Sequence, residues 1–392
     1  MAGFALGLVA PASIAGVLAP IGTLFINLIR VTVFPLVVSM LVASIGAIAS
    51  SRALGRAGGR AIAMALVLLT VAAAGSAIVA TPVLARVHID RAAAQALQPA
   101  APVASPARPG GATDSRVSQW IVDLVPSNVV RAVAEDAMLP VIVVSVLFAL
   151  ALAGVRDERR LPVLHVIEGV SEAMQRLVAG ILELAPVGVF ALAAPLAARL
   201  GSAAVGAVAA YIVLVVSLTI AASLLLLYPL GIVGGRMRPA AFASLCAPSQ
   251  AVAFSSRSSL AALPAMLETA EQSGAPPVVA GFILPLAASV FRFGAAVAQT
   301  VGVLFLARLY GIDLSPAQLA SVVVAVIFTT FAVPGIPGGS ILAMVPVLHA
   351  ADVPIDGIGI LLAVDAIPDM FRTTANVTGT LAVAAALSRT AE

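Results

Sequence analysis

The chain has 392 residues, 61% of them hydrophobic and 10% charged, with a mean hydropathy of +1.12. A soluble domain is about half apolar and about a quarter charged, so in water this composition would expose more apolar surface than monomers carry, and the bilayer is the solvent it fits. The net charge of +3 is spread over scattered side chains, all 21 basic ones being arginine, and forms no aromatic-interleaved basic stripe of the kind nucleic-acid binding needs.

Apolar segments fall at 3–18, 21–50, 61–86, 119–154, 163–197 and 203–233, to be set against the roughly 20 residues a membrane helix needs. The first lacks the basic n-region and cleavage site of a signal peptide and reads as a span. Arg52, Arg56 and Arg60 follow the second segment. Arg156, Arg159 and Arg160 follow the fourth, and Arg236 and Arg238 the sixth. The positive-inside rule makes these three loops cytoplasmic. Residues 87–118 are the long polar interruption, and the Pro-, Ala- and Gly-rich stretch from Pro99 to Gly111 predicts a mobile external loop. Trp120 then suits a membrane interface. Glu168, Glu172 and Arg176 stand at helical spacing and predict a solvated or interfacial face.

Beyond about residue 240 the apolar pattern is broken in mid-segment. The polar cluster Ser255–Ser259 comes first, then a helical stretch interrupted around Phe291-Arg292-Phe293-Gly294. Pro334–Ser340 follows, then a span carrying Asp365, Asp369, Arg372 and Asn376. One unit is written twice: a hairpin with a polar tip, then an interrupted span. Irregular backbone is tolerated at membrane depth only where protein or a watery cavity covers it. Two broken segments in corresponding places are the pointer to a transporter's binding site. Six spans and two interrupted ones predict an all-α polytopic membrane protein with eight transmembrane helices, two re-entrant helical hairpins and inverted repeats.

An ionisable group inside a span is costly unless paired or hydrated. Residues three, four and seven apart share a helix face, so Asp365, Asp369, Arg372, Thr373 and Asn376 form one polar stripe. A carboxylate there can take an ammonium group and a guanidinium can take a carboxylate. The alternative is a structural Asp–Arg pair tying two helices together. Arg257, among the serines, could pair with one of the aspartates. Arg292 has no acid near it in sequence, and must either find Asp365 or Asp369 or stand where a cation would otherwise be needed. His88, His165 and His349 lack metal-ligand spacing, and the lone Cys246 excludes an intramolecular disulfide and a cysteine metal cage. Neither a Walker loop, a GxSxG elbow nor a metalloprotease motif occurs, so no enzyme, cofactor or metal is expected.

Several of these pieces resemble the dicarboxylate/amino acid:cation symporter family, which includes prokaryotic and neuronal glutamate transporters. Leu124-Val125-Pro126-Ser127-Asn128 resembles its fourth-segment signature and Leu184–Phe190 its fifth. Arg257-Ser258-Ser259 with Leu263-Pro264 resembles the first hairpin, and Ile336-Pro337-Gly338-Gly339 the second. Asp369-Met370-Phe371-Arg372-Thr373 with Asn376-Val377-Thr378-Gly379 resembles the last helix. The resemblance implies a homotrimer in the cell membrane and an elevator mechanism, each subunit moving a transport domain of both hairpins and the last two spans. It divides the chain into 1–73 (first helices), 74–118 (end of helix 3 and the external loop), 119–233 (helices 4–6) and 234–392 (transport core). It implies that Asp369 takes the substrate ammonium and Arg372 the side-chain carboxylate of an acidic amino acid. Thr373, Asn376, Ser258 and Ser259 complete the cradle, Ile336 and Ser340 close over it, and Arg257 and Asp365 support it.

Two departures stand out. The family's Asn-Met-Asp-Gly-Thr sodium motif reads Phe291-Arg292-Phe293-Gly294-Ala295 here, and the aspartate that usually follows Asn-Val-Thr-Gly is Thr380. A hard cation needs oxygen ligands. The expectation is therefore a sodium-independent carrier, proton-coupled or uncoupled, in which Arg292 replaces the bound cations. A C4-dicarboxylate carrier and a non-transporting amino-acid receptor or channel are the alternatives.

Overall fold

The computed structural model describes residues 12–50, 55–86, 122, 124–135, 137–200, 203–276, 279–333 and 338–388. The expected external loop, Trp120, Arg52, His88 and Ile336 lie outside these. Among the described residues every regular element is helical.

The segments expected at 3–18 and 21–50 are not separate in the described part. One helix, α1, runs Ala12–Ser50 with Pro20 and Pro35 inside it. No polar residue marks a stop between them, and a proline is tolerated in a membrane helix where neighbours cover the freed carbonyl. The next helix, α2, spans Gly55–Ala85. The segment 119–154 resolves into α3 (Val129–Ala134) and α4 (Met138–Ala153). Asn128 caps α3 by accepting from the Arg131 amide at 3.1 Å. Helices α5 (Asp157–Glu183) and α6 (Ala185–Leu200) meet at 61°, where Pro186 has no N–H for the Leu182 carbonyl. Arg160 turns inward, donating to the Ala153 carbonyl at 3.0 Å and to Asp157 at 2.6 Å. It thereby satisfies an orphan carbonyl at the end of α4. Glu172 and Arg176 pair at 2.7 Å on the exposed face that their spacing predicts. Helix α7 (Ala203–Ala222) continues through two π-helical turns, Ser223–Leu227 and Leu230–Gly234, flanking Pro229.

The C-terminal part holds α8 (Pro239–Ser256), α9 (Leu263–Gln272), α10 (Leu284–Val290), α11 (Phe293–Leu309), α12 (Pro316–Thr330), α13 (Gly339–Leu342), α14 (Val345–Ala350), α15 (Ile358–Val364) and α16 (Ala366–Ser388). Helices α8 and α9 pack together around the Arg257–Ser259 tip, and α12 packs on α14 across the second tip. The breaks fall at Phe291–Arg292, both non-helical, and at Asp365, where Pro368 leaves the Val364 carbonyl without its helical donor. Every residue of α11 except Arg308 is buried. Around α11 stand α16, α2, α7 and α12, while α1 packs with α4, α5 and α6.

Outward, large apolar side chains are bare: Leu24, Val31, Ile78, Val213, Leu225 and Val233 are each more than half exposed. Among the described residues, four helices can cross a bilayer by length and composition, Pro20–Gly46, Gly59–Ala85, Gly206–Gly234 and Leu284–Leu309, and the bent α5–α6 pair makes a fifth if it is one span. At 23 residues α16 is long enough too, but its polar stripe lowers its hydropathy.

Candidate functional site

Asp369, Arg372, Thr373 and Asn376 stand on α16, whereas Asp365, expected on the same helix, lies in the break just before it, its carbonyl accepting from the Asp369 N–H at 2.8 Å. Arg372 donates from Nη1 and Nη2 to the two oxygens of Asp365 at 2.7 and 2.9 Å, and from Nη2 to Asp369 Oδ1 at 2.8 Å. All three side chains are buried. Charge-assisted, two-pronged bonds of this kind are the strong ones. The pairing spans the break between α15, which Asp365 caps, and α16.

The second carboxylate oxygen of Asp369 accepts from the backbone N–H of Gly338 at 3.2 Å. Gly338 has φ +75°, a left-handed conformation that glycine adopts without strain, and it leads into α13. Gly338, just before α13, is therefore tied to the polar stripe by its backbone amide.

The broken helix is held from the same stripe. Asn376 Oδ1 accepts from the Gly294 N–H at 2.7 Å, satisfying a first-turn amide of α11 that has no helical partner. Gly294 lies so close that a Cβ there would overlap the backbone of Arg372. The close approach of α11 to α16 requires glycine at this point.

These elements enclose a cavity of about 20 Å³, lined by Arg257, Ser259, Arg292, Ala295, Val333, Ser340, Asp369, Arg372, Thr373 and Asn376. It has room for about one water molecule, so anything larger enters only if the site opens. Most of the residues singled out from the sequence meet here. Asp365 stands behind Arg372 instead of on the wall. Ser258 is also off the wall, its hydroxyl oxygen accepting from the Ala261 amide at 3.2 Å.

The arginines differ from expectation. Arg257 ends α8 in the left-handed conformation, φ 56°, and faces the cavity. Among the described residues it has no ion pair with either aspartate, because Arg372, from their own stripe, already occupies both. Arg292 is 3% exposed, its Nε has no partner, and among the described residues no carboxylate pairs with its guanidinium. The rings of Phe291 and Phe293 flank it in the chain, both buried, with centroids 6.2 Å apart. Phe291 also packs on Gly379, and the Thr380 hydroxyl is turned to the Asn376 carbonyl at 3.0 Å.

Sequence reasoning missed Gln299. It is fully buried in α11, donating to the Ser340 carbonyl at 2.9 Å and accepting from the Thr329 hydroxyl at 2.9 Å. The signal was present as the one amide side chain in the apolar run of α11.

A helical bundle that is apolar outside and carries a charged, enclosed cavity between two interrupted helices belongs to the class of integral membrane transporters. The chain is a member of the sodium:dicarboxylate symporter family, whose model matches residues 1–390. It is 32% identical over 381 residues to the proton/glutamate-aspartate symporter of Escherichia coli (strain K12), covering 93% of this chain and 83% of that protein. It is 27% identical over 392 residues to the proton/sodium-glutamate symport protein of Bacillus caldotenax, with coverage of 96% and 88%. A C4-dicarboxylate transport protein of Azorhizobium caulinodans is 28% identical over 365 residues, with coverage of 92% and 80%.

Proposed function

We propose that this protein is a secondary transporter of acidic amino acids, aspartate or glutamate, in the cytoplasmic membrane, and that it works without sodium. The observation that carries the reading is the charge set of the site. Arg257, Arg292 and Arg372 against Asp365 and Asp369 leave one positive charge, which an acidic amino acid, with one net negative charge, neutralises. A C4-dicarboxylate with two negative charges would leave an excess, and would offer Asp369 no ammonium group.

Asp369 receives the ammonium. Arg372, Thr373, Asn376, Ser259 and Ser340 line the cradle, Arg257 and Asp365 support it, and Ser258 and Ile336 belong to the two hairpin tips. Entry breaks the Gly338–Asp369 bond, so the second tip opens when the ligand's ammonium displaces the tip amide from the carboxylate. A hydrogen bond to a charged group contributes about 1.5–3 kcal/mol, small enough for a ligand to replace.

Sodium independence is supported by what surrounds the break in α11. A hard cation repays its dehydration through oxygen ligands. This region instead presents two phenyl rings and a guanidinium, with Thr380 bonded along its own helix. Arg292 supplies the positive charge as a fixed part of the chain. The hairpins with α11 and α16 form the mobile transport domain of an elevator, with α2 and α7 packed on it. Helices α1 and α4–α6 form the scaffold of a homotrimer.

Uptake of radiolabelled aspartate into proteoliposomes tests the reading. Transport is expected to persist when choline replaces sodium, and unlabelled succinate is expected to compete weakly. Loss of uptake without sodium overturns the sodium claim. Succinate competing as well as aspartate overturns the substrate assignment.

A further inference from the structure

We infer that Tyr211 is a positioning residue whose hydroxyl takes over Asp365 when a ligand carboxylate draws Arg372 away from it; the inference rests on reading this cavity as the substrate site. Tyr211 stands on α7, which packs on both α11 and α16. Its side chain is fully buried, with the ring centroid 5.0 Å from that of Phe305 in α11. Among the described residues its hydroxyl has no hydrogen-bond partner. A buried hydroxyl without a partner is costly, and phenylalanine would fill the same space without that cost. An orphaned polar group in a native interior therefore calls for an explanation. The neighbouring charges supply it, because the phenol lies in the electrostatic field of both Asp365 and Arg372.

With the site closed, Arg372 donates to both oxygens of Asp365 at 2.7 and 2.9 Å, and the Tyr211 hydroxyl is idle. Arg372 lines the cavity, whereas Asp365 and Tyr211 do not. On the proposed function a ligand carboxylate competes with Asp365 for the guanidinium from the cavity side. A buried carboxylate stripped of its partner is strongly unfavourable, so Arg372 turns to the ligand readily only where another donor meets Asp365. Arg257 also acts on Asp365 through its field, but it faces the cavity and is open to the ligand itself. Tyr211 lies off the wall, so its hydroxyl remains for Asp365. An O–H donating to a carboxylate makes one of the short, strong bonds. The exchange moves no proton: Arg372 transfers N–H bonds from Asp365 to the ligand, and Tyr211 gives Asp365 one O–H bond. The hydroxyl thereby destabilises the empty carrier and stabilises the loaded one.

The test compares the purified wild type with Tyr211→Phe by binding of labelled L-aspartate and by thermal unfolding with and without L-aspartate. In Y211F the affinity for aspartate should fall by about tenfold or more, the lower end of what a hydrogen bond to a charged group is worth. The unfolding midpoint without ligand should stay where it is or rise, because the hydroxyl removed has no partner in that state. The upward shift that aspartate produces should shrink. A tyrosine needed only for packing would give the opposite pattern, a lower midpoint in the absence of ligand. That result overturns the inference, as does a Y211F protein that does not fold. Where the wild type binds aspartate and Y211F binds it equally well, this inference alone is overturned, and Asp365 has another donor in the loaded state. A wild type that binds neither aspartate nor glutamate overturns the functional reading and this inference together.

Discussion

Arg372 and Arg292 line one cavity, yet the first makes three short bonds to carboxylates and the second makes none to any described group. The difference comes from the chain around each. Asp365 and Asp369 precede Arg372 by seven and three residues, so one short stretch of chain delivers them. Arg292 sits in a break whose neighbours are phenylalanines. The stripe was legible in the sequence because i, i+3 and i, i+7 spacing is a local rule. Whether Arg257 would join it was not, since that depends on where a left-handed helix end on another element aims the side chain. Gly294 is the residue on which the meeting of α11 and α16 turns. Gly294→Ala is expected to force α11 off the Arg372 backbone, destabilising the fold by about 1–3 kcal/mol and cutting aspartate uptake more than tenfold. Thermal unfolding and proteoliposome uptake check this, and an alanine variant indistinguishable from wild type in both would remove the close-approach argument.

At the level of elements, the interruptions were the most readable feature of the chain. Prolines, glycines and charges inside apolar runs are visible without coordinates, and the break expected around Phe291–Gly294 falls at Phe291–Arg292, whereas the one at Asp365 interrupts what helical spacing reads as a single helix. What local pattern cannot show is how the broken pieces are tied. Gln299 joins α11 to the Ser340 carbonyl of the second hairpin and to Thr329 on its other limb, a link between segments 30 and 41 residues away in sequence. Gln299→Leu leaves the Ser340 carbonyl without this donor, at a cost of about 1–3 kcal/mol. The expected outcome is weaker aspartate binding together with faster amide exchange across residues 338–344. Weaker binding with unchanged exchange there would show that Gln299 acts by some route other than steadying the tip.

For the whole molecule, composition alone placed the chain in a bilayer, and the bare apolar flanks of α1, α2 and α7 agree with that. Span boundaries were less legible. Apolar sequence running through Pro20 carries no stop, and Pro186 bends a stretch that hydropathy reads as continuous. The centre is α11, buried along nearly its whole length, and its amides should be among the slowest to exchange in detergent, slower than those of the exposed α5. Equal rates would argue that the core lies elsewhere. The Gly338–Asp369 bond has a consequence at this scale for any experiment that watches the gate. On the proposed function the tip amide and the ligand's ammonium compete for one carboxylate, so this latch and a bound cargo exclude each other. A reporter on the second hairpin would then register a passenger by the loss of the latch.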